Sequence, residues 1–251
     1  MNVMRNFLTF ALAVVLGCAA ASAQYFSTKQ GEVSYYKLVD NKTKEAVESV
    51  VKTTVLSVDT DADGIITSRV EDIQSDPSNP FAEIKTYRVF KYDPKTDVTT
   101  VIVMTGDDFK SFILNMIKAS AEANRQHISE SELADLEKAF ATKGQLEFPL
   151  DPKAAVDSKL PNATLRLNAG QMAMSMNLWE GKFLGYESIT VEAGTYDCLK
   201  VSYAIRTSTP GGNEKNYMTE WYAKGVGLVR SLETDKKGNV LADQTLRVVK
   251  E

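Results

Sequence analysis

Four groups of residues combine types and spacings that could support chemistry. DTDADG at residues 59–64 puts Asp59, Asp61, Asp63 and Gly64 where an EF-hand calcium loop carries its first ligands and its turn glycine. The bidentate Glu that such a loop needs at its twelfth position is replaced by Val70, and Glu71 falls one place late. A hairpin turn rich in Asp accounts for the same residues, because short carboxylates hydrogen-bond to nearby backbone N–H groups. The expectation is therefore no metal, with Asp59, Asp61 and Asp63 as weak candidates.

The second group is a stripe. Met172, Met174 and Met176 alternate with Ala173, Ser175 and Asn177, so on a strand the three thioethers project from one face. Flexible, polarizable Met suits a pocket for variable apolar ligands, but core packing against the helical hairpin is the default role, because antiparallel sheets routinely bury one face. His127 and Cys198 form the third group. His127 is the only histidine and lies in a polar linker, while Cys198 sits in a strand-like segment with Tyr196, Leu199 and Val201, where a buried inert thiol is the default. Glu220, before Trp221 and Tyr222, is the fourth: aromatic surroundings can raise a carboxyl pKa, but strand alternation turns it away from Trp221. No catalytic residue and no cofactor is expected from these patterns, and an enzyme is not the expected reading.

The elements that must position these groups are mostly strands. From Gly31 to about Val103, apolar and β-branched residues alternate with polar ones between Asp, Asn, Gly and Pro breaks, which is a meander. Val51, Thr53, Val55 and Ser57 share one face of a long run there. The period then changes. Phe109, Phe112, Ile113, Met116 and Ile117 form one helical stripe, and Leu133, Leu136 and Phe140 form a second, with Ser129 and Glu132 at capping-box spacing. A helical insertion over about 107–142 is predicted, and a hairpin of two such helices needs the sheet as its other wall. Residues 144–170 read as a connector with one short strand near 164–167. Strands resume over 171–179, 182–190, 195–207, 216–223, 227–235 and 239–249, with turns at Glu180-Gly181, Ala193-Gly194, 210–212, Gly225 and 237–239.

About ten or eleven strands are too many for a flat twisted sheet and favour curling or closure. The predicted class is mainly β (α+β): a large curved antiparallel sheet or half-barrel covered by a two-helix hairpin. Met172, Met174, Met176, Phe112 and Met116 are the candidate lining of a cavity between them.

The N-terminus points to export. Arg5 is followed by the apolar run 7–17 and by Ala21-Ser22-Ala23, the three parts of a cleavable signal peptide, and the run is too short to span a bilayer. The domain reading is thus 1–23 as signal peptide and 24–251 as one curved-sheet domain, located in the periplasm or secreted. Val15-Leu16-Gly17-Cys18 also resembles a lipobox, so anchoring through a lipidated Cys18 is the alternative. Loss of Arg5 from 29 basic residues, against 33 acidic ones, leaves a mature chain of net charge about −5. An acidic chain with no basic stripe excludes nucleic acid as a partner. With Cys198 alone after cleavage, the core and not disulfides must hold the domain.

Two segments resemble a known family. GKFLGYESITVEAGTYDCLKVSY at 181–203 and EWYAKGVGLVRSLETDKKGNVL at 220–241 are similar to the TapB-like bacterial envelope family of unknown function. The matching positions are Gly185, Glu187, Val191, Ala193, Gly194, Cys198 and Lys200, then Trp221, Tyr222, Gly225, Gly227 and Val229. Leu160-Pro161-Asn162-Ala163 and the opening strand at 31–41 also fit. Tyr196 stands where Phe is common. The resemblance implies an exported domain whose sheet curls around helices, similar to the half-barrels of lipoprotein carriers. The expected function is a non-enzymatic envelope protein that binds or carries an apolar or lipid-like ligand. The alternative is a structural or adaptor protein acting through surface contacts with another envelope protein.

Overall fold

The structure is a computed structural model that describes residues 23–42, 46–76, 79–123, 125–169 and 172–250; of Met172 only the backbone is described. Residues 1–22, on which most of the signal-peptide reading and the whole lipobox reading fall, Cys18 among them, lie outside the described residues.

Twelve antiparallel strands follow one another round a closed ring. They are β1 (Val33–Asp40), β2 (Val47–Thr60), β3 (Ile66–Asp76), β4 (Asn79–Asp93), β5 (Val98–Met104), β6 (Ala141–Leu150), β7 (Ala163–Ala169), β8 (Met172–Val191), β9 (Gly194–Thr209), β10 (Gly212–Ala223), β11 (Gly227–Thr234) and β12 (Val240–Lys250). Each strand pairs with its sequence neighbours, and β1 closes the ring on β12 from Val33↔Lys250 to Asp40↔Ala242. Closure removes the exposed edges that a sheet of this size would otherwise present. Helices α1 (Gly106–Ala123) and α2 (Glu130–Ala139) are inserted between β5 and β6.

Alternation decides which face is buried. Ser34, Tyr36 and Leu38 on β1 and Ser49, Val51, Thr53 and Val55 on β2 point inward, while Val50 and Leu56 remain exposed. The outward positions of β2 to β4 carry Lys52, Glu71, Lys85 and Lys91. This is the reverse of a lipid-facing barrel, whose outside is apolar because charge on the lipid face is costly. No helix among the described residues is long and apolar enough to cross a membrane.

A twelve-stranded ring encloses more space than its own side chains can fill, since about eight strands is the size that side chains alone pack. Two additions occupy the excess. At the end where β5 begins, residues 24–27 enter the lumen and bury Tyr25 and Phe26 at 1% exposure. Phe26 stacks on Phe90 with centroids 5.5 Å apart, the Tyr25 N–H donates to Thr99 Oγ1, and Gly225 N–H donates to the Gln24 carbonyl. At the other end, β4 pairs with β5 only from Val89 to Asp93, which leaves its upper half without a partner on that side. Helix α1 touches β4, β6 and β7, and so covers this seam; its Phe109 and Ile113 join the cluster of Leu146, Leu165 and Leu167. Asp108 at the start of α1 pairs with Arg69 of β3 at 2.6 Å and accepts from Thr105.

Helix α2 has the capping box read from Ser129 and Glu132, but Leu133 and Leu136 stay half-exposed and none of its residues is buried. Its stripe is too short to be sheltered fully once α1 has covered the seam. Two local readings are corrected. The connector from 144 begins inside a full strand, β6, whose Leu146, Phe148 and Leu150 are wholly buried in the lumen. Glu180-Gly181 is not a turn but an irregularity within β8, where Glu180 takes φ 54° and Gly181 packs closely on Leu160.

Candidate functional site

The lumen is filled at one end and hollow at the other. Above the aromatic packing of Phe90, Phe148, Tyr203 and Tyr222 lies a chamber of about 280 Å³ walled by strands from opposite sides of the ring. Ile84, Val103, Met104 and Met218 form its apolar wall, and Asp72, Arg88, Glu220, Ser231 and Gln244 supply polar groups. A second chamber of about 220 Å³ shares Gln74, Met218, Ser231 and Gln244 with the first and reaches Asp40, Lys42 and Glu233 at the rim. A chamber pair of this size and mixed lining falls within the range of small-ligand sites.

The floor is a buried polar network. Arg88 Nε and Nη2 both reach Asp72 Oδ2, at 2.9 and 2.8 Å, and the Thr53 hydroxyl donates to Asp72 Oδ1. Tyr222 Oη donates to Glu220 Oε2 at 2.8 Å, and Ser231 Oγ lies 3.4 Å from Oε1. Burial pushes the Glu220 carboxyl up, while the Tyr222 hydrogen bond and the nearby Arg88 charge hold it back. Burial also raises the Tyr222 and Tyr203 phenols well above their usual range, with Glu220 adding to both shifts. Arg88 also borders a void of about 30 Å³ beside Phe26 and Tyr36, about one water in size, so its guanidinium separates the plugged end from the open chamber.

Met174 and Met176 are half-buried and packed on the lumenal cluster, opposite Leu167 and Leu165 of β7. Phe112 packs on the same cluster, whereas Met116 is 54% exposed. None of these four is among the residues lining the two chambers. The Asp-rich turn is held by itself: Asp61 Oδ1 accepts from the N–H groups of Asp63 and Ile65, and Asp63 pairs with Lys95 at 3.0 Å. No group of three metal-ligating side chains occurs among the described residues. Cys198 is fully buried, and burial pushes its thiol up to about 12, which keeps it protonated. His127 borders a surface notch between the helices.

Glu220 does turn away from Trp221, and that turn carries it into the lumen beside Tyr222 and Tyr203. Asp72, Arg88 and Gln74 were not singled out from the sequence. The signal was present as inward parity, since Val70, Asp72 and Gln74 share a strand face and Arg88 shares one with Phe90. A polar residue on a face otherwise given to the core is the mark of a buried network.

Residues 29–246 match the DUF3108-like family. The chain belongs to the DUF3108-like family. No curated protein matches it. The DUF3108-like region includes both motif segments, 181–203 and 220–241, and the TapB-like name rests on the sequence resemblance alone. Two solved structures are similar over 90% of this chain and 98% of their own. One is a candidate lipoprotein from Parabacteroides distasonis ATCC 8503, at 21% identity and TM-score 0.61. The other is a candidate exported protein with a YmcC-like fold from Bacteroides fragilis NCTC 9343, at 16% identity and TM-score 0.61. At these identities they show the fold alone.

Proposed function

We propose that this DUF3108-like chain is an exported, non-enzymatic binding protein that carries a lipid-like guest in the open half of its ring. The observation that carries the reading is the chamber itself. Its walls join an apolar side, from Ile84 to Met218, to a buried polar floor, so it matches a small amphiphile better than a pure hydrocarbon. The plug of Tyr25 and Phe26 closes the opposite end, which makes the lumen a cup and not a channel. Met174 and Met176 on β8 and Phe112 on α1 pack on the lumenal cluster and supply apolar surface beyond the chamber for a longer chain of the guest.

Export is part of the same proposal. It rests on the signal-peptide pattern of residues 1–23 and agrees with the descriptions of the two similar structures. Native mass spectrometry of protein purified from its own host tests the reading. A co-purifying small amphiphile, lost when Met218→Trp fills the chamber, is the expected result. Ligand-free protein from the native envelope, with a chamber that takes up no amphiphile, would leave the adaptor alternative in its place.

A further inference from the structure

The charges around the two chambers are unevenly available. Among the described residues lining them, the cations are Arg88 and Lys42, and each is already engaged, by Asp72 at 2.8 Å and by Glu233 at 3.0 Å. The acids are Asp40, Asp72, Glu220 and Glu233. Glu220 is the one at the floor that no cation pairs directly. Its oxygens accept from the hydroxyls of Tyr222 at 2.8 Å and Ser231 at 3.4 Å, and from that of Tyr203. It is 7% exposed, and it faces the chamber next to the apolar side chain of Met218.

An anionic head group entering this chamber would lose its hydration without gaining a free cation, and it would approach a net acidic wall. Both effects are unfavourable in a partly desolvated site. A primary ammonium meets the opposite situation. It carries three donors, for Glu220, Ser231 and Gln244, and its charge offsets the buried carboxylate. We infer that the guest is a single-chain amphiphile ending in a primary ammonium, with the ammonium on Glu220 and the chain against Ile84, Val103 and Met218. This rests on the lumenal carrier reading and specifies its ligand class.

Isothermal titration of the mature protein with octylammonium, octanoate and octanol near neutral pH tests it. Octylammonium is expected to bind at least about tenfold more tightly than octanoate, and Glu220→Gln is expected to remove that preference. The three ligands compared on the unaltered protein decide the matter even if the variant fails to fold. Octanoate or octanol binding as tightly as octylammonium would overturn the ammonium assignment and leave the carrier reading intact. Failure of all three to bind would overturn both.

Discussion

The Trp221 indole Nε1–H donates to Glu187 Oε2 at 2.9 Å, and the Lys200 ammonium lies 2.8 Å from the same oxygen and 4.9 Å from the indole ring centre. One carboxylate thus joins β8, β9 and β10 on the outside of the ring, directly behind the strand that carries Glu220. The β8–β9 hairpin continues past this clasp to meet β12, where Ala193 N–H donates to the Leu246 carbonyl and Glu192 pairs with Arg247 at 2.8 Å. Glu187, Lys200 and Trp221 are three of the positions that carry the sequence resemblance, and the clasp gives them a common structural task. Trp221 packs with Cys198, Ala223 and Val229 in a second, smaller core.

Glu187→Ala should destabilise the protein, because it leaves the indole N–H of a 5% exposed Trp without its acceptor. An unsatisfied buried donor costs about 1–3 kcal/mol. Glu187→Gln keeps an acceptor oxygen for Trp221 and should cost less. Urea midpoints of the two variants check the ordering, and equal losses would mean that the Lys200 ion pair, not the indole, is the main partner.

Gly144→Ala should be disruptive although it adds one methyl group. Gly144 has φ +85°, and a Cβ there would lie 2.1 Å from the Thr164 carbonyl oxygen of β7. The left-handed backbone costs a non-Gly residue about 1–2 kcal/mol, and the backbone clash adds to it by separating β6 from β7. Amide exchange along 141–145 and 164–168 should accelerate in the variant. Unchanged protection there would show that the two strands can part and re-form around the methyl.

That glycine also explains what the sequence hid. Gly144, Pro149 and Pro152 read as a connector because Gly and Pro weaken any strand pattern, yet Leu146, Phe148 and Leu150 alternate inward. The meander, the curling and the helical insertion were legible because alternation and the period change at Phe109 are local properties. Closure of β1 on β12 was not, since it depends on shear and tilt that only the assembled strands define. The floor of the chamber fell between the two cases. Glu220 stood out by its neighbours, whereas Asp72 and Arg88 become a site only when β3 and β4 pair and face β10 across the lumen.

Arg88→Met should cost more than most single changes. Both members of its pair are 12% exposed by side chain, so the substitution leaves Asp72 without its cation and with the Thr53 hydroxyl as its partner among the described residues. Breaking one side of a buried pair costs about 3–5 kcal/mol, whereas replacing both members with apolar groups is often neutral. Arg88→Met with Asp72→Leu should therefore recover much of the loss. A double variant as unstable as the single one would show that the network orders the floor in a way that apolar packing cannot replace.

Glu220 and Glu187 should respond to pH in opposite directions, which provides an internal control. Burial raises the folded-state pKa of Glu220, so its contribution to stability is complete below the unfolded value and is lost as pH rises through the folded one. The Lys200 and Trp221 hydrogen bonds lower that of Glu187, so its contribution is present above the unfolded value and is lost as pH falls through the folded one. The groups facing Glu220 are Tyr203, Tyr222, Arg88 and Ser231, and none of these titrates in the carboxylate range. Unfolding midpoints from about pH 3 to 7 should then show Glu187→Gln losing ground on the unaltered protein up to the ordinary carboxylate value and holding steady beyond it, and Glu220→Gln gaining only above that value. Parallel trends in the two variants would mean that Arg88 keeps Glu220 ionised throughout, and the floor of the chamber would carry a full negative charge even in acid.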